Sequence, residues 1–124
     1  MKIYIAIKYN KKSLELVPGI REIIKKAGSN SYCFAEEEGY IEDEKEMMKL
    51  ALKKIDESDL IIVEASNSSF GVGIEAGYAF AKNKRIVTIM NESEETSNTL
   101  KGISDSYFTY SNFEELEKKL CEIL

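Results

Sequence analysis

The run "SSFGVGIEAGYAFAKNKR", residues 68–85, places a single carboxylate, Glu75, among small and apolar neighbours. A carboxylate in such a setting can attack an electrophilic carbon or stabilise a developing cation. The segment before it, "SSFGVG", can offer hydroxyls such as that of Ser69 and the backbone N–H groups around Gly71 and Gly73. At a helix start, these groups suit an anion or a sugar oxygen. A structural reading competes. Glu75 can simply complement the positive helix N-terminus, which would hold it ionised. Gly73 and Gly77, four apart, can simply allow close packing on a sheet. A capping box would favour the structural reading, but the residue three before Glu75 is Val72, which cannot cap.

Other chemistries are excluded by residue type. The chain of 124 residues contains 0 histidines. That removes His general-base catalysis, Ser-His-Asp and Cys-His pairs, and most zinc sites. Cys33 and Cys121 form no CxxC, and both sit in apolar patterns that predict buried, reduced thiols. A net charge of −5 argues against a nucleic-acid polymer as partner. No apolar run approaches the roughly 20 residues of a membrane span, and "MKIYIAI" reads as a first strand, so a cytoplasmic location is expected.

The elements that must position Glu75 alternate between strand and helix. Strands are predicted at 2–7, 31–34, 59–65, 85–90 and 106–110. Helices are predicted at 16–28, 42–58, 71–83 and 111–123, the last opened by a capping box at Ser111 and Glu114. This order predicts one α/β domain over 1–124. Its expected form is a flavodoxin-like, five-stranded parallel sheet of order 2-1-3-4-5 with helices on both faces. Ligands in such folds bind beyond the carboxyl ends of the strands. Glu75 would lie there, in the first turns of the helix after strand three. Residues 91–105 read as a long irregular loop. The motif does not fit other chemistries of this architecture: there is no GxxxxGK[ST] loop and no phospho-acceptor Asp at the end of strand three.

The run "SDLIIVEASNSSFGVGIEAGYAFAKNKRI" resembles the nucleoside 2-deoxyribosyltransferase superfamily, especially its 2'-deoxynucleoside 5'-phosphate N-hydrolase branch. "IYIA" at the start and "TSNTLKG" in the late loop extend the resemblance. It implies that Glu75 attacks the anomeric carbon of a deoxyribosyl group, with water or a second base completing hydrolysis or transfer. It implies a 5'-phosphate contact for Ser69, a contribution from Ser97 to the neighbouring subunit's site, and a place near the nucleophile for Tyr4. Tyr4 can equally be a core ring with a satisfied hydroxyl. The implied partners are a small nucleoside or nucleotide and a second copy of the chain, as a homodimer or an assembly of dimers. The helix at 42–58, with its methionine pair, is a plausible contact face. No metal or organic cofactor is implied.

Two departures stand out. The hydrolase branch carries glycine and arginine in its first loop, whereas this chain has "IKYNKK", where Lys8, Lys11 or Lys12 would have to supply charge. The family also has an aspartate, assisting departure of the base, at the position of Ala51. Asp43, Glu44 and Glu64 are the nearby acids. The expected activity is N-glycosidic bond cleavage in a nucleoside or nucleoside 5'-monophosphate through Glu75. The rival is a protein of the same fold that binds such a ligand with reduced catalysis.

Overall fold

The apolar run Leu60–Glu64 forms strand β3, and all five of its residues are buried. A strand covered on both faces needs neighbours on either side and helices above and below. The computed structural model, which describes residues 1–67, 69–95 and 97–124, supplies both. Strands β1 (Lys2–Ala6) and β4 (Arg85–Asn91) flank β3, with β2 (Asn30–Cys33) and β5 (Ser106–Tyr110) at the edges. All pairings are parallel and the order is β2-β1-β3-β4-β5, as the alternating pattern predicts.

Strand residues alternate between two apolar layers. On one face, Ile3, Ile5, Leu60, Ile62, Val87 and Ile89 pack with α2 (Val17–Lys26) and α7 (Phe113–Ile123). On the other, Tyr4, Ala6, Ile61, Val63 and Ile86 pack with α4 (Glu44–Asp56) and α5 (Phe70–Ala81). Local signals start and stop these helices. Pro18 lies in the first turn of α2, and Gly28, at φ +85°, takes the left-handed conformation that follows its end. Asp43 caps α4 by accepting from the amides of Lys45 and Glu46.

Several expectations are corrected. The start of α7 is capped one residue later than predicted: Asn112 accepts from the Glu115 amide at 2.9 Å, and the Ser111 hydroxyl donates to the Glu115 carboxylate. Three short helices were not expected: α1 (Lys11–Leu14), α3 (Phe34–Glu37) and α6 (Asn98–Ile103). The last of these breaks up the stretch read as an irregular loop. Cys33 is buried, and burial pushes its thiol up to about 11. Cys121 is exposed instead, because it lies one step around α7 from the buried Leu120. Ser68 and Thr96, in two of the loops at the carboxyl ends of the strands, lie outside the described residues.

Candidate active site

Helix α5 faces the sheet through Val72, Ala76 and Ala79, and Glu75 occupies the same stripe at helical spacing. A carboxylate thus stands where a core residue would ordinarily be. Ser69 caps the helix, its Oγ accepting from the Val72 amide at 3.3 Å. Glu75 therefore belongs to the second turn, beyond the amides left unpaired at the start. Dipole stabilisation, expected to keep it ionised, does not prevail. Burial pushes the Glu75 carboxyl up from 4.5 to about 7, and only the hydrogen bond from Tyr4 opposes the rise.

Tyr4 is fully buried on β1 and donates its hydroxyl to Glu75 Oε2. Its ring packs against Tyr32 with centroids 5.8 Å apart. Burial first, and then the adjacent carboxylate, push the Tyr4 phenol well above its usual range, so it stays a donor. Both readings of Tyr4 hold together, since its ring is core and its hydroxyl meets the candidate nucleophile.

Glu75 opens into a cavity of about 200 Å³ beyond the carboxyl ends of the strands. Ser69 and Gly71 form one edge, at the start of α5. Met47, Met48 and Ala51 of α4 form the opposite wall. Phe34, Tyr9 and Tyr40 also line it, with Ile5, Ile7 and Val72 adding apolar surface. Gly39, at φ +63°, makes the turn after α3 that precedes Tyr40, and its position lies close to the Tyr9 hydroxyl. The methionines of this helix, read as a plausible contact face between subunits, are half-buried and line the cavity. Ala51, 4% exposed, does face this cavity.

The remaining predicted residues divide between places. Lys8 lies two residues beyond the end of β1 and does not line the cavity. Gly73 and Ser97 line a separate, more open groove of about 590 Å³ on the other side of α5, which Ser69 also reaches. Ser97 caps α6, accepting from the Leu100 amide. Gly73 and Gly77 do not serve packing on the sheet: a Cβ at either would meet nothing within 4 Å. The groove is larger, but it contains no Glu75, so the smaller cavity is the candidate active site.

None of the alternative acids reaches the cavity. Asp43 is the cap of α4, and Glu44 is exposed at its first turn. Glu64 points to the other face of the sheet, 2% exposed. It accepts from the Ser66 amide at 2.6 Å, the Ser66 hydroxyl at 2.7 Å and the Tyr110 hydroxyl. Ser66 Oγ in turn accepts from the Asn91 amide at 2.9 Å. This buried cluster ties the β3–α5 loop, which delivers Ser69 and Glu75, to β4 and β5. A charged residue ending an apolar strand run was its only sequence signal.

The sequence profile of the family described as nucleoside 2-deoxyribosyltransferase matches residues 3–117. No curated protein matches the chain. Among solved structures, a CMP N-glycosidase from Clostridium botulinum is 22% identical with a TM-score of 0.74, covering 97% of this chain and 98% of that one. A 2-deoxyribosyltransferase from Bacillus psychrosaccharolyticus is 20% identical with a TM-score of 0.74, covering 94% and 90%. A 2-deoxyribosyltransferase from Leishmania mexicana is 17% identical with a TM-score of 0.70, covering 98% and 97%. These three structures share the fold with this chain. The profile match runs from the first strand into the last helix, and by it the chain belongs to the nucleoside 2-deoxyribosyltransferase family.

Proposed function

We propose that this protein cleaves the N-glycosidic bond of a nucleoside or nucleoside 5'-monophosphate, with Glu75 as nucleophile. The observation that carries the reading is a carboxylate set in the core-facing stripe of α5, held by Tyr4 and open to a cavity at the strand ends. Family membership and the similarity to a CMP N-glycosidase support the same chemistry.

The ionised form of Glu75 attacks the anomeric carbon, the base departs, and a glycosyl ester remains. Tyr4 fixes the carboxylate orientation through Oε2, directing Oε1 to the sugar. The Ser69 cap uses an oxygen lone pair, so its hydroxyl hydrogen can serve a substrate oxygen or phosphate. Gly71 lets the substrate approach the helix backbone closely. Water then releases the sugar, or a second base accepts it. A panel of nucleosides and 5'-monophosphates, assayed for released base with and without an acceptor base, tests the reading. Release by the wild type and not by Glu75→Gln supports it. Binding without release supports the rival binding protein, which Ala51 in the cavity wall favours.

The assembly we propose is a homodimer. One face of α5 runs Phe70, Gly73, Ile74, Gly77 and Ala81, all exposed, with Phe70 at 95% and Ile74 at 54%. Apolar side chains at helical spacing around two glycines suit close approach of a second copy. Ser97 lines the groove beside this face, so the second copy would bring Ser97 near its own substrate.

A further inference from the structure

The lining of the Glu75 cavity restricts the leaving group. Among the described residues, its only carboxyl group is Glu75, and no lysine or arginine lines it. Ala51 stands in the wall without a proton to give. Tyr9 and Tyr40 are phenols, weak acids, and their side chains are exposed at 59% and 77%, at the rim. Apart from the Ser69 hydroxyl and the glycine backbone, the remaining surface is apolar, from Phe34, Met47 and Met48 and the aliphatic Ile5, Ile7 and Val72. Aromatic faces and a lone carboxylate together favour a cation at the base, and the described residues hold no second carboxyl group there to protonate a neutral base as it leaves.

Resting on the reading of Glu75 as nucleophile, we infer that this cavity takes a nucleoside whose base carries a fixed positive charge in the glycosylated ring system, such as a pyridinium or an N7-alkylated purinium. A neutral base must accept a proton as it leaves, or depart as an anion. A cationic base needs neither. The Glu75 oxygen bonds to the anomeric carbon, the C–N bond breaks, and its electron pair returns to the ring system and cancels the positive charge. The base departs as a neutral molecule. Water then attacks the anomeric carbon, the ester C–O bond breaks back to the carboxylate, and one proton is released. The raised Glu75 carboxyl fits this division of labour, because it ionises near neutral pH and a cationic ligand favours the ionised form.

The test compares guanine derivatives that differ in one methyl group and its charge. Wild-type protein is given guanosine and 7-methylguanosine, in the ribo and deoxyribo series, as nucleosides and as 5'-monophosphates. Released base is measured at about pH 6.5, near the Glu75 transition, after subtraction of spontaneous loss. General acid assistance is worth about 10²- to 10⁴-fold. The methylated member is therefore expected to have a kcat/KM more than roughly a hundredfold above the neutral one. Ala51→Asp, checked for folding by circular dichroism, should raise the rate on the neutral member by a larger factor than on the methylated one and so shrink that ratio. If this variant does not fold, the wild-type ratio alone decides. A wild-type ratio below that level overturns the inference and leaves Glu75 as nucleophile standing. Release from none of the compounds overturns both.

Discussion

Replacing Glu75 by glutamine should stabilise the folded protein, and the gain should grow with pH. The Glu75 carboxyl is raised from 4.5 to about 7 because the folded state buries it. Between those values the unfolded chain has released the proton and the native state has not. The native state then binds more protons, so wild-type stability falls as pH rises through this window. Each unit is worth 1.36 kcal/mol, which puts the full loss at about 3 kcal/mol. The amide has no proton to lose and escapes it. Urea unfolding of both proteins at several values from about pH 5 to about pH 8 should show the stability gap widening by roughly 2–3 kcal/mol. The Gln variant should melt highest relative to wild type at the alkaline end. A gap that stays constant across the range, or narrows with rising pH, would refute the claim that Glu75 is held protonated by burial.

Four further outcomes are expected. Because only the ionised carboxylate attacks, kcat/KM should rise with pH through about 7, read from a pH–rate profile with any cleaved substrate. Tyr4→Phe removes the hydrogen bond that lowers the Glu75 value, so the same profile should move to higher pH and kcat should fall by about tenfold; an unmoved midpoint would exclude Tyr4 from setting the nucleophile. Tyr110→Phe leaves Glu64 with one donor fewer in a buried cluster, which should cost about 1–3 kcal/mol in urea unfolding and loosen the β3–α5 loop, with hydrogen exchange at Ser66 and Asn91 as the local readout. Ile74→Asp should hold the protein as a monomer in light scattering if the exposed face of α5 meets a second copy.

The strand order was legible because β3 is a continuous buried run and each helix between strands carries its own period. The signals that position Glu75 were also local: the GVGIEAG spacing puts it on the stripe of Val72, Ala76 and Ala79. Its protonation was not legible. The helix-dipole expectation used chain position alone, whereas the outcome depends on how deeply the sheet and Tyr4 enclose the carboxylate. Met47, Met48 and Ala51 lie at helical spacing on α4, but such spacing shows only that they share a helix face. Whether that face meets core or cavity depends on the loop after β2, whose turn at Gly39 brings Tyr40 across it. Glu64 gave no periodic signal at all, because its partners are Ser66 in the loop that follows and Tyr110 at the end of another strand.

The most direct test of the central claim is to trap the intermediate. Wild-type protein mixed with a cleaved nucleoside or nucleotide is quenched in acid within the first turnover, digested and analysed by peptide mass spectrometry. The account predicts a glycosyl mass on the peptide containing Glu75, fragmenting to that residue, and no adduct or base release in Glu75→Gln. Base release that persists in Glu75→Gln, or an adduct on any other residue, would contradict it.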